Sequence, residues 1–326
     1  MPTIKKLIKY SAAAIALCSV FGTATAQDKY PNKPVRVVVA LGTGSATDLF
    51  ARMLAESLRQ ELKADFIVEN KAGAGGAIGG NFVAKAKPDG YTIGVMHSSV
   101  VTTLAAITPN LPYDPRKDFT WIGKTVSNPV VLGVAANSRF KTLDDLVAAA
   151  KANPGKHTAG IIGVGSHSHF NLELLKIVSG ADITRIPYSA GTGPVITGLI
   201  GGEIDSASIV WAGLSEFVKA GRIRILATTS TLPGFPEIPT YASRGYPRSH
   251  LEVFLSVVGP AGLPKEVTDL LVPAVERAVK DPKNVAAMER LGFRVDYENP
   301  KQLAETVAKE IAVVTEVARK ANIVTE

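Results

Sequence analysis

Cysteine is nearly absent from this chain. Among 326 residues there is one, Cys18, and it lies inside a short apolar stretch close to the N-terminus. Lys5, Lys6 and Lys9 precede that stretch, Ser11 to Phe21 form its apolar core, and Ala24-Thr25-Ala26 places small residues ahead of Gln27. This is the layout of a secretory signal peptide, so residues 1–26 read as an export signal cleaved after Ala26. Leu17 before Cys18 is a poor fit to a lipoprotein processing site. A mature chain without cysteine excludes disulfides, thiolate catalysis and cysteine-based metal sites.

Other absences narrow the function further. The apolar core of the signal is too short to span a bilayer, and no later stretch is long and apolar enough. Only five histidines are present; His167 and His169 stand two apart, but no acidic cluster at ligand spacing accompanies them, so no metal site is expected. The three signal lysines account for three of the seven net positive charges, leaving +4 on the remaining 300 residues. That is too mild for a nucleic-acid partner, and no basic cluster carries interleaved aromatics. No cofactor is expected: the glycine run Gly73-Ala74-Gly75-Gly76-Ala77-Ile78 has Ile78 where a dinucleotide fingerprint needs its third glycine, and Asp89 lies in a turn instead of ending a strand. Its glycines read as a tight turn with close backbone approach. Gly163-Val164-Gly165-Ser166 is not the Gly-x-Ser-x-Gly of a hydrolase elbow.

What is present is a repeated unit of strand, small-residue loop and helix. Val35 to Val39 is a β-branched run, Gly42-Thr43-Gly44-Ser45 breaks it, and Leu49, Phe50, Met53, Leu54, Leu58 and Leu62 then recur at helical spacing, with Thr47 or Asp48 as the expected cap. A loop of this kind presents free backbone N–H groups and the positive end of a helix dipole, a seat for an anion. The plan recurs at Phe66 to Val68 before the Ala74-Gly75 run, and at Tyr91 to Met96 before His97-Ser98-Ser99. Such strands indicate a parallel doubly wound sheet that binds ligands at its strand C-termini. After Pro129 the pattern restarts: a strand at 130–135, a helix at 143–152 capped by Thr142 or Asp144, then Gly165-Ser166-His167-Ser168-His169 opening another helix. Strands at 183–186, 204–209 and 223–228 follow, and Phe254 to Pro260 crosses back. Two amphipathic helices close the chain, with a short strand between them at 292–295. The expected division is domain one at 27–128 plus 254–326 and domain two at 129–253, joined by two crossing strands.

The ordered motifs resemble the Bug-type extracytoplasmic receptors of tripartite tricarboxylate transporters over nearly the whole mature chain. They are Tyr30-Pro31-Asn32-Lys33-Pro34, Thr47-Asp48, Glu69-Asn70 with Gly73-Ala74-Gly75-Gly76, Lys87-Pro88-Asp89-Gly90-Tyr91-Thr92 and Leu111-Pro112-Tyr113-Asp114-Pro115 with Lys117-Asp118-Phe119. Pro187-Tyr188, Gly193-Pro194, Gly201-Gly202-Glu203-Ile204-Asp205, Lys219-Ala220-Gly221-Arg222 and Pro236-Glu237-Ile238-Pro239-Thr240 complete the series. The resemblance implies an α/β two-domain periplasmic binding protein, type II-like and of Venus-flytrap form, each domain a sheet flanked by helices. It implies a monomer that closes on a small carboxylate and presents it to the membrane subunits of the transporter, without catalysis. The alternatives are an exported enzyme on the same fold and a sensor-type binding protein. The implied cleft lies between Gly42, Thr43, Gly44, Ser45, Ala74, Gly75, His97, Ser98 and Ser99 on one side and Gly165, Ser166, His167, Ser168, His169 and Tyr188 on the other, with Ser208 and Trp211 in the wall of domain two.

Four departures bear on the ligand. The family's common Pro-Gly-Gly turn is Gly42-Thr43-Gly44-Ser45, its Arg-Pro is Lys71-Ala72, its Lys after Pro-Tyr is Ser189, and its polar Asp or Asn after the Gly-Gly-x-x-Asp strand is replaced within 206–211. A more apolar wall with Trp211, beside hydroxyls and two histidines, suits a flat or longer acid, a dicarboxylate or an aromatic carboxylate. One carboxylate is expected between the first loop and the 166–169 loop, with His167 or His169 adding a charge-assisted bond if protonated.

Overall fold

The computed structural model describes residues 29–188, 191–212, 214–232, 234–247 and 251–324. The signal at 1–26 and Ser189 lie outside the described residues. In chain order the main elements are β1 (Val35–Val39), α1 (Ala46–Leu62), β2 (Phe66–Asn70), α2 (Ala77–Ala84), β3 (Thr92–His97), α3 (Ser98–Val101), α4 (Thr103–Ile107), β4 (Phe119–Asn128), β5 (Val130–Ala135) and α5 (Leu143–Ala152). There follow β6 (His157–Ile161), α6 (His167–Ser179), β7 (Ile183–Pro187), α7 (Thr192–Gly201), β8 (Ser206–Val210), α8 (Ser215–Lys219), β9 (Ile223–Thr228), β10 (Val253–Pro260), α9 (Lys265–Lys280), α10 (Pro282–Arg290), β11 (Arg294–Glu298) and α11 (Pro300–Ala321).

These strands form two sheets. One has the order β11-β4-β10-β3-β1-β2, the other β7-β6-β8-β5-β9. Both are mixed, which corrects the expectation of a parallel sheet. β1, β2 and β3 run parallel, but β10 is antiparallel to both β3 and β4, and β5 is antiparallel to β8 and β9. The reversed strands β5 and β10 both enter from the other sheet, and β11 at the edge is also antiparallel to its neighbour β4. Pro129 stands between β4 and β5; having no N–H, it interrupts the hydrogen-bond ladder where one sheet gives way to the next. Val130 and Thr229 exchange bonds there: the Val130 N–H donates to Thr229 Oγ1 at 3.1 Å and the Thr229 N–H to the Val130 carbonyl at 3.0 Å.

Each sheet is covered on both faces, as apolar strands require. Phe50, Leu54 and Leu58 of α1 pack with Leu271 and Val275 of α9 on one face of the first sheet; Val100, Leu104, Leu303 and Val307 cover the other. In the second sheet, Leu143, Leu146, Leu172 and Leu175 cover one face and Val195, Leu199 and Trp211 the other. A fifth cluster joins the two halves: Ile107 of α4, Phe170 and Leu174 of α6, and Val314, Val317 and Ala318 of α11. Thus α11 begins on the first sheet and ends on a helix of the second. The helix α10 was not anticipated, because its apolar stripe is nearly missing; only Asn284 and Met288 are buried. Its legible signals are Asp281, which caps it, and Pro282 in its first turn.

Candidate functional site

Two helix starts are built alike, one in each half. In Gly42-Thr43-Gly44-Ser45-Ala46-Thr47-Asp48, Ser45 caps α1, its Oγ accepting the Asp48 N–H at 3.2 Å, and Asp48 Oδ2 reaches back to accept the Gly44 N–H at 2.9 Å. In Gly163-Val164-Gly165-Ser166-His167-Ser168-His169, Ser166 Oγ accepts the His169 N–H at 3.2 Å, and His169 Nδ1 accepts the Gly165 N–H at 3.1 Å. Gly44 and Gly165 both have φ of +79°, a conformation that a side chain would strain. The cap of α1 is therefore Ser45, not Thr47 or Asp48, and the repeated pattern is Gly-x-Gly-Ser-x-x-Asp/His. With the third N–H of each helix taken by its serine, the first two remain without an intrahelical acceptor: Ala46 and Thr47 in α1, His167 and Ser168 in α6.

Both back-reaching side chains are themselves fixed. Asp48 is almost fully buried; its Oδ1 accepts from Asn70 Nδ2 at 3.0 Å and its Oδ2 from Arg52 Nε at 3.1 Å. Burial pushes its carboxyl up, but the Gly44 N–H, Arg52 and Asn70 outweigh that, and the net shift is down. His169 is fully buried, and its Nδ1 acceptor role places the ring hydrogen on Nε2, 3.6 Å from Glu173 Oε1. Lys176 and Arg185 also reach Glu173 Oε1, each at 3.3 Å. Burial raises the Glu173 carboxyl, and the nearby His169 ring with the charge of Lys176 brings it below its ordinary value. His169 thus braces its loop.

The floor between the halves is set by β3 and α6. His97, paired with Leu255 on the crossing strand β10, meets His167 edge to face, with ring centroids 6.0 Å apart. Ser98 is buried and accepts the Phe254 N–H at 3.3 Å. Asn171, one turn beyond His167, donates to the Leu251 carbonyl at 2.6 Å and accepts the Leu251 N–H at 3.2 Å. Burial lowers His97 to about 4, and burial with the neighbouring His97 lowers His167 to about 3. Both rings are neutral near pH 7, so the charge-assisted bond considered for His167 does not operate in this form.

The remaining sequence candidates fall in two groups. Gly42, Thr43, Gly44, Ala74 and Gly75 are exposed, and Ser99 is partly exposed with its N–H on His97 Nδ1. Gly79, next to that run, lies so close to Ala40 and the Lys71 carbonyl that a Cβ would collide, which is the close approach read from the sequence. The second group is turned to packing. Ser208 is fully buried with its hydroxyl donating to the Ser168 carbonyl at 2.8 Å. Tyr188 lies against Gly198 of α7, where a side chain would strike its hydroxyl. Trp211 stacks edge to face on Phe235 at 5.0 Å, in a cavity of about 240 Å³ that also includes Pro129 and Arg294. Sequence reasoning missed Asn70, Asn171 and Glu173, and saw Asp48 only as a cap; the available signal was the four-residue step from each loop glycine to Asp48 and His169. No group of three or more His, Cys, Asp or Glu placed to hold a metal exists among the described residues.

The chain matches the family model described as tripartite tricarboxylate transporter family receptor, TctC, over residues 50–323. It is 32% identical to protein BugT of Bordetella pertussis over 287 residues, 87% of this chain and 88% of that one. Among solved structures, the periplasmic binding protein BugD superposes with a TM-score of 0.72 at 32% identity, over 91% of this chain and 100% of that one. An R. palustris protein with adipate gives a TM-score of 0.74 at 28% identity over 90% and 99%. MatC from Rhodopseudomonas palustris with bound malate gives 0.71 at 28% over 88% and 99%. The chain belongs to the TctC family of tripartite tricarboxylate transporter receptors, and has its α/β two-domain periplasmic binding-protein fold.

Proposed function

We propose that the mature chain, cleaved after Ala26, is a monomeric periplasmic receptor that closes on a small carboxylate and delivers it unchanged to the membrane subunits of a tripartite tricarboxylate-type transporter. Its lobes are 27–128 plus 254–326 and 129–253. The observation that carries this reading is the matched pair of Gly-x-Gly-Ser helix starts, each with two uncommitted N–H groups and a dipole that favours negative charge. One ligand carboxylate sits between them, on the N–H groups of Ala46, Thr47, His167 and Ser168, with Thr43 and Ser99 hydroxyls at the rim. Adipate and malate in two neighbours support a dicarboxylate ligand, and an aromatic carboxylate fits the same seat.

A thermal-shift screen of aliphatic and aromatic mono-, di- and tricarboxylates tests it, with amino acids and sugars as comparison sets. A true ligand at one hundred times its Kd adds about 2.7 kcal/mol to the folded state and raises the midpoint visibly. Titration calorimetry then gives one site per chain, and the ligand is recovered unaltered after prolonged incubation. A response confined to sugars or amino acids removes the carboxylate assignment, and a converted product removes the receptor assignment.

A further inference from the structure

His167 holds a polar atom with nothing to bond. The residue is 2% exposed, and its Nε2 is buried without a hydrogen-bond partner among the described residues. Buried polar atoms in folded proteins are almost always paired, so an orphan at the start of α6, against a ring at the end of β3 in the other sheet, points to a group supplied from outside. Across from it, the tautomer of His97 is fixed: Nδ1 accepts the Ser99 N–H at 3.1 Å and lies 2.9 Å from Ser99 Oγ, which leaves the ring hydrogen on Nε2 as a donor. One ring comes from each lobe, and the two meet at 6.0 Å on the floor of the cleft.

The surroundings decide what fits between them. The loops at 42–45, 72–76, 97–99 and 163–169 contain no Lys or Arg. Lys71, at the edge of the second loop, is held by Glu69 at 2.6 Å and lies over Phe82. The ionisable group acting on His167 is His97. A second carboxylate placed here would be a buried charge without a counter-charge, which is expensive; a neutral hydroxyl between a donor and an acceptor is not.

We propose that His97 and His167 form a charge-free subsite that takes a ligand hydroxyl, which accepts from His97 Nε2–H and donates to His167 Nε2, so that the receptor selects hydroxycarboxylates over their deoxy counterparts. This rests on the receptor reading above and adds the ligand class.

Calorimetry with two matched pairs tests it: malate against succinate, and 4-hydroxybenzoate against benzoate. In whichever pair binds, the parent prefers the hydroxylated member by about tenfold or more, since a site built to bond a hydroxyl rejects the analogue lacking it. His167→Phe keeps a ring against His97 but removes the nitrogens; His97→Asn keeps a capping side chain at the start of α3. In each variant that folds, the preference falls to within about threefold, through a larger loss of affinity for the hydroxylated member than for the deoxy one. Carboxylate binding without preference in the parent, or a preference that survives both substitutions, overturns the subsite and leaves the receptor reading standing. If neither those acids nor any other carboxylate in the screen binds, both fall together.

Discussion

Asn171 holds the backbone of Leu251 from both sides, its amide nitrogen on the carbonyl at 2.6 Å and its amide oxygen on the N–H at 3.2 Å. Asn171 lies in α6, which carries His167; Leu251 lies two residues before β10, which pairs with His97. One side chain therefore couples the helix that carries His167 to the segment leading into the strand that pairs with His97. Asn171→Leu leaves both Leu251 groups buried and unpaired, at about 1–3 kcal/mol each. Urea unfolding should show a loss of about 2–5 kcal/mol, larger than for a surface Asn→Leu change such as Asn153→Leu.

Asp48 should make the fold acid-sensitive. Its native pKa lies below its ordinary value, so its contribution is complete above the unfolded pKa, near 4, and is lost as pH falls through the native one. Asp48→Asn keeps an acceptor for Gly44 but loses the ion pair to Arg52. Melts between pH 7 and pH 3 should fall less steeply for the variant than for the parent, and the variant should be less stable at pH 7.

Glu310 carries the opposite sign. It is buried on α11 with Oε2 unpartnered, and burial raises its carboxyl to about 8 despite the pull of Lys124. Between the unfolded value near 4.3 and 8, the native state binds the extra proton, so this residue erodes stability as pH rises. Glu310→Gln should raise stability at pH 8.5 by on the order of 2 kcal/mol and change it little at pH 4. Equal effects at both values would sink this account.

The two histidines predict separate pH profiles for binding and for stability. Both are neutral in the native state down to about 4 and 3, so carboxylate affinity should be flat from pH 6 to 8. Unfolded histidine titrates near 6.5, so stability should fall as pH drops from there towards 4, where the unfolded chain alone takes up the proton. His167→Phe should reduce that slope. Binding that weakens from pH 6 to 8 would mean the bound state charges one of the rings.

Most of the fold was legible because apolar periodicity carried it. The helix at 143–152 was read with its bounds, and the capping box of Thr142 with Asp145 explains why. The strand directions were not legible: β5 and β10 have the same apolar character whichever way they run, and each enters its sheet from the other one, β5 after Pro129 and β10 after Leu251. Leu49 has the spacing of the apolar face of α1 yet is 44% exposed, while Asp48 and Phe50 on either side of it are buried. At the site, the glycine and serine loops were visible as composition. The bonds that hold them were not, since Asn70, Asn171 and Glu173 read as ordinary polar residues until their partners 22, 80 and 4 positions away are known.

The long final helix α11 has a mechanical consequence. Two strands alone, β4–β5 and the return into β10, leave a joint free both to bend and to twist. Through Leu303 and Val307, α11 is seated on the first sheet, and through Val314 and Val317 on Phe170 and Leu174 of the helix that bears His167. The two halves are therefore joined at three places, two along the chain and one through side-chain packing between α11 and the helix that bears His167.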